Sequence, residues 1–123
     1  MKIKTSELQG AALDWAVAKC EGFKPHASVS IVIMKTYSPT TSWAQAGPII
    51  EREIFKLFRN VGGTWTAQIK RRAHYYSPTY GADIGRDEIL SSAGPAPLIA
   101  AMRCYVTSKM GDEIEVPDEL SCP

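Results

Sequence analysis

Between Tyr37 and Glu53 the chain reads Tyr-Ser-Pro-Thr-Thr-Ser-Trp-Ala-Gln-Ala-Gly-Pro-Ile-Ile-Glu-Arg-Glu, and these residue types suit recognition better than reaction. The first half is polar and rimmed by Tyr37 and Trp43, while the second reads as the start of an amphipathic helix. With Pro48 in the first helical turn, the N–H groups of Ile49 and Ile50 would favour a nearby anion. Gly47 lets backbone approach such a group. Ser38, Thr40, Thr41 and Ser42 can donate to phosphate oxygens, and Gln45 supplies an amide. Trp43 or Tyr37 can stack on a base, worth about 1–3 kcal/mol per base. Arg52, or Arg103 farther along, can supply a planar fork for phosphate. These are the parts of a nucleotide site, although Gly-Pro with one Arg is a weaker signal than a phosphate-binding loop. Each has a plainer alternative: Trp43 capping the core, Arg52 pairing with a nearby acid, Arg103 lying solvated opposite the apolar stripe of its helix.

No side-chain set points to catalysis. His26 and His74 are the two histidines, and neither begins a metal-ligand pattern. Glu51 and Glu53 fall on opposite sides of their expected helix, so they make no carboxylate pair. Ser38 and Ser42 lack an activating base. Cys20, Cys104 and Cys122 have no metal-type spacing; the first two read as buried reduced thiols, the third as an exposed tail residue. The expectation is a non-enzymatic protein with no cofactor and no metal. The run Gln68-Ile-Lys-Arg-Arg-Ala-His-Tyr-Tyr76 looks like a nucleic-acid patch in miniature, but three consecutive cations more often mark a solvated strand end.

Fourteen basic residues against 13 acidic give a formal charge of +1, which argues against a general nucleic-acid coat protein. At 123 residues, with 45% apolar composition, residues 1–123 are expected to form one globular domain. The longest apolar run, Ile31 to Met34, is far too short to span a bilayer, so no membrane partner is expected. Met-Lys-Ile-Lys lacks the apolar stretch of a signal peptide, and a cytoplasmic location follows as the expectation.

The elements that must position these groups follow from periodicity. Ser6-Glu-Leu-Gln9 has the form of a capping box before an Ala-rich helix that stops at Gly22, with an apolar surface broad enough to pack on a sheet. Ser28 to Tyr37 reads as a central strand. A helix from Pro48 is predicted to carry Ile50, Ile54, Leu57 and Phe58 on one face and to end at Asn60-Val-Gly-Gly63. Thr64 to Arg72 alternates, with Trp65, Ala67 and Ile69 on one face, as a half-buried strand near an edge. Tyr75 to Asp87 reads as a hairpin or long loop. Pro97 opens a last helix with the stripe Leu98, Ala101, Met102, Tyr105 and Val106, stopped by Gly111. Ile114 and Val116 mark an edge strand or ordered tail. The predicted class is α+β, a small mainly antiparallel sheet packed with N-terminal and C-terminal helices; the apolar excess of the first helix and the mixed character of the last suggest a homodimer or higher homo-oligomer.

Three separated pieces share a further property. Met1-Lys-Ile-Lys-Thr-Ser-Glu-Leu with Ala12-Leu-Asp-Trp-Ala-Val-Ala18, Tyr37-Ser through Trp43-Ala-Gln-Ala-Gly-Pro-Ile-Ile-Glu-Arg-Glu53, and Gly94-Pro-Ala-Pro-Leu-Ile-Ala-Ala-Met-Arg-Cys-Tyr-Val106 running to Gly111-Asp-Glu-Ile-Glu-Val-Pro-Asp-Glu-Leu120 resemble the small phage and prophage proteins called NinX. The resemblance implies an accessory product of a tailed phage, made in the cytoplasm of the infected bacterium, and carries over no catalytic residue. By analogy of context, such a protein would bind a small nucleotide-like ligand and sequester a host defence signal. An adaptor binding a host or phage protein through residues 37–52 is the alternative, and an enzyme of unrecognised type the third.

Overall fold

Helix α3 (Pro97–Met110) is the element around which the others are arranged. Pro97 sits in its first turn, where no N–H is needed, and Gly111 ends it with φ +84°, a conformation that L side chains rarely adopt. The expected stripe of Leu98, Ala101, Met102, Tyr105 and Val106 is buried, and so are Ala100 and Cys104 on the flank. In the computed structural model, which describes residues 2–22 and 37–117, this helix lies on a sheet and also packs against both other helices.

Helix α1 (Gly10–Cys20) buries the unbroken run Ala12–Ala18, and Gly22 with φ +94° follows its end as expected. The capping box does not form. Thr5–Glu7 is instead a 3₁₀ turn, because Thr5 is tied to the far end of α3. Its N–H donates to the Asp112 carbonyl at 2.8 Å, and its hydroxyl donates to the Gly111 carbonyl at 3.0 Å while accepting from Thr107. Gln9 becomes the N-cap without a side-chain bond. The apolar excess of α1 is met chiefly by α3, which intervenes between α1 and the sheet.

Helix α2 (Trp43–Glu53) departs from expectation at both ends. It starts five residues before Pro48, because Ser42 is its N-cap and accepts the Gln45 N–H at 3.4 Å. Pro48 is therefore interior, exposed, and removes one helical hydrogen bond. The helix ends at Glu53. Leu57 and Phe58 lie on strand β2 (Lys56–Arg59), which pairs antiparallel with β3 (Trp65–Ser77), Lys56 opposite Gln68 and Arg59 opposite Trp65. The segment 60–64 is a hairpin turn rather than a helix stop. The Asn60 N–H donates to the Thr64 carbonyl at 2.7 Å, its side chain grips Thr64 and Thr66, and Gly63 has φ +91°.

Strand β3 puts Ala67 and Ile69 into the core with Trp65 beside them, as the alternation predicts. It is central rather than near an edge, because β2 and β4 (Ala82–Gly94) flank it in the order β2-β3-β4. The stretch read as a hairpin or loop is the tip of a 13-residue antiparallel ribbon turning at 78–81. Since β2 reaches only Gln68, the ribbon from Lys70 to Ile89 is two-stranded. Strands β1 (Lys2–Lys4) and β5 (Glu113–Glu115) form a second small sheet with Ile114 buried, so the edge strand expected there exists. The strand expected at Ser28 to Tyr37 lies, up to residue 36, outside the described residues. The class is α+β, with helices packed on a mainly antiparallel sheet. Among the described residues no helix is long and apolar enough to cross a membrane.

Candidate functional site

The segment before α2 is held from inside. Asp14 of α1, 6% exposed, accepts the Thr40 N–H on Oδ1 at 3.0 Å. Burial raises its carboxyl above the ordinary range, and hydrogen bonds from the Thr40 backbone and side chain act the other way. Ser38 organises the rest: its carbonyl accepts from the N–H groups of Thr41 (3.0 Å) and Ser42 (2.9 Å), and its own N–H donates to Gln45 Oε1. The Thr41 hydroxyl donates to the same carbonyl at 3.3 Å. Pro39 and Thr40 are buried beneath this knot. Ser38, Thr41, Ser42 and Gln45 thus build the loop as well as line it.

Trp43 is 56% exposed at the first position of α2, so it does not cap the core. Ser42 engages the N–H groups of Gln45 and Ala46. Those of Trp43 and Ala44, the first two of the helix, have no partner among the described residues. The orphan donors lie there and not at Ile49 and Ile50, which are interior to the helix. Gly47, half-buried with open space where a Cβ would stand, likewise lies mid-helix.

Arg52 belongs to the other end of α2. Nine residues separate it from Trp43, about 13 Å along a helix axis. Its guanidinium is engaged by Glu21 at 2.7 Å and Glu53 at 2.8 Å, and lies over the Tyr105 ring. The buried Tyr105 hydroxyl donates to the same Glu21 oxygen at 2.5 Å, and burial followed by Glu21 pushes that phenol strongly up. Lys109 reaches Glu53 at 3.9 Å. Tyr37 is half-buried against the core, its hydroxyl pushed up to about 12 by burial, with Glu21 and Asp14 adding to the effect. Tyr37 is electrostatically coupled to the Arg52 cluster as well as adjoining the loop.

Arg103 is not solvated on the back of its helix. Its Nε donates to the Leu8 carbonyl at 2.7 Å and its Nη1 to the Ala93 carbonyl at 3.0 Å, stitching α3 to the approach to α1 and to β4. Partial burial lowers the guanidinium pKa. The basic run of β3 is paired within the ribbon: Lys70 with Asp87, Arg71 with Glu88, Arg72 with Asp87. Among the described residues no group of His, Cys, Asp and Glu could hold a metal ion. Of the residues singled out in sequence, the fold brings Ser38, Thr41, Trp43 and Gln45 together and sets Arg52 and Arg103 apart.

Asp14, Glu21 and Tyr105 do most to fix this region and were not singled out in the sequence. Asp14 alone carried a local signal, a carboxylate inside an otherwise apolar helical run. A search of the curated proteins finds no match. A family model described as "Bacteriophage P22, NinX" matches residues 4–109, which include every element of this site. The chain therefore belongs to the NinX family of bacteriophage proteins.

Proposed function

We propose that this phage accessory protein acts by binding a small anionic, nucleotide-like ligand at the N-terminus of α2 and so withdraws a host defence signal. The reading rests on the exposed Trp43 indole standing beside the first-turn N–H groups of Trp43 and Ala44, which have no partner among the described residues. A helix N-terminus attracts a phosphate, and an exposed ring stacks on a base. Thr41 and Ser38 extend the polar rim. Arg52 and Arg103 are left out of the minimal site, since Glu21, Glu53 and two backbone carbonyls hold them.

The test is a thermal-shift panel of mono-, di- and cyclic nucleotides on the wild type and Trp43→Ala, followed by mass spectrometry of the recovered nucleotide. An upward shift with at least one nucleotide, lost in Trp43→Ala and with the nucleotide returned intact, supports the reading. Chemical change of the nucleotide points to an enzyme. Trp43 and Phe55, both more than half exposed at the two ends of α2, favour a second reading as a protein adaptor, which predicts no nucleotide shift at all.

A further inference from the structure

We propose that the cleft between the 3₁₀ turn, the C-terminal end of α3 and the last residues of β4 binds a small polyhydroxylated ligand that carries an ammonium group. The proposal is independent of ligand binding at α2. The cleft holds about 440 Å³, and every residue that lines it is among those described. Small-molecule sites usually span about 300–1,000 Å³. Thr5, 2% exposed, lies against its floor and is fixed there from two sides. Its N–H donates to the Asp112 carbonyl beyond α3, and its hydroxyl is bonded to both Gly111 and Thr107.

This hydrogen-bond chain decides what the floor can offer. A carbonyl oxygen only accepts, so the Thr5 hydroxyl proton is committed to Gly111 at 3.0 Å, with Asp112 second at 3.2 Å. The proton between the two threonine oxygens, 2.9 Å apart, must then come from Thr107, which keeps only lone pairs to present to a guest. On the opposite wall Ser91 accepts from the Gln68 amide at 3.2 Å and retains its own proton for donation. The Ser6 side chain makes no hydrogen bond among the described residues.

Charge selects the guest. Among the described residues that line the cleft, Asp112 and Glu113 set two carboxylates against the single ammonium of Lys4. Lys4 stands directly across the β1–β5 pair from Glu113, yet none of the three makes an ion pair among the described residues. A guest ammonium has three hydrogens to donate, and Asp112, Glu113 and Thr107 are three acceptors without a competing donor. Hydroxyls on the same guest are met by Ser6 and Ser91, which both donate and accept. A phosphate would instead face two carboxylates with one lysine to offset them.

Amide chemical-shift titrations below neutral pH with three related sugars test this: glucosamine, protonated on nitrogen; glucose, which lacks the charge; and glucose 6-phosphate, which reverses it. Glucosamine is expected to shift the amides of Thr5, Ser6, Ser91 and Asp112 saturably, with glucose at least about tenfold weaker and glucose 6-phosphate weaker still. Asp112→Asn combined with Glu113→Gln alters two exposed side chains that hold nothing else, and should weaken glucosamine roughly tenfold at an unchanged melting temperature. Lys4→Gln removes a like charge and should tighten glucosamine by about two- to threefold, which a merely structural lysine would not do. No saturable shift with glucosamine, equal binding of glucose or glucose 6-phosphate, or a double variant that binds as tightly as the wild type overturns the proposal.

Discussion

The buried carboxylate of Asp14 accepts the Thr40 N–H at 3.0 Å, so a charge in the middle of α1 sets the position of the loop that leads into α2. Removing the acceptor leaves a buried N–H without a partner, which costs about 1–3 kcal/mol. Asp14→Ala is therefore expected to lower stability by that amount and to loosen residues 38–42, seen as faster amide exchange at Thr40. Asp14→Asn keeps an acceptor and should retain the loop.

The same pair gives a pH dependence of known sign. Burial raises the Asp14 carboxyl above its ordinary 3.8, so the folded chain keeps this proton where the unfolded chain has lost it. That contribution to stability is complete below the unfolded value and is lost as pH rises through the folded one. Asp14→Asn should abolish this contribution: denaturant midpoints measured from pH 3 to 7 should fall less with rising pH in the variant than in the wild type.

Trp43 and Arg52 should separate cleanly in mutation. Trp43→Ala removes a half-exposed ring, so it should leave the melting temperature nearly unchanged while abolishing nucleotide-induced stabilisation. Arg52→Ala breaks ion pairs with Glu21 and Glu53 on an exposed side chain, and should cost no more than about 1 kcal/mol with ligand binding retained. Calorimetric titration of both variants checks the pair.

Two glycines are expected to differ in their tolerance of a side chain. A Cβ at Gly94 would meet the Ala100 backbone nitrogen at 2.9 Å and Ile99 Cγ2 at 3.0 Å, contacts that cannot yield without moving α3 off β4. Gly94→Ala should cost about 1–3 kcal/mol by overpacking. At Gly85 the obstacle is the end of the flexible Arg72 side chain, so Gly85→Ala should cost less than about 1 kcal/mol. Chemical denaturation of the two variants decides it.

Cys20 and Cys104 should resist alkylation in the folded protein. Burial pushes both thiols up to about 11, Glu21 adds to the effect at Cys20, and Cys104 also donates to the Leu90 carbonyl. Iodoacetamide at pH 8 should modify neither until denaturant is added, as peptide mass mapping would show.

The last helix was legible because Pro97, an apolar stripe and Gly111 all agree. The start of α2 is set by Ser42-Trp-Ala-Gln45, a capping-box pattern that competes in the sequence with the equally helix-opening Gly47-Pro48. Gln45 uses its side chain on the Ser38 N–H, an arrangement that local spacing does not announce. Ile54, Leu57 and Phe58 fit a helical period, but the turn grip of Asn60 on Thr64 and Thr66 made Leu57 and Phe58 part of a strand. Arg103 looked solvated because its acceptors, Leu8 and Ala93, are brought to it only by the packed fold.

If the exposed indole and first-turn amides of α2 hold a phosphate-bearing guest, as proposed, mass spectrometry of material released by heat from protein purified out of infected cells should reveal it. Wild-type protein should release one nucleotide in near-stoichiometric amount, and Trp43→Ala purified alongside it should release none. Equal recovery from both proteins, or nothing from the wild type, would contradict the account.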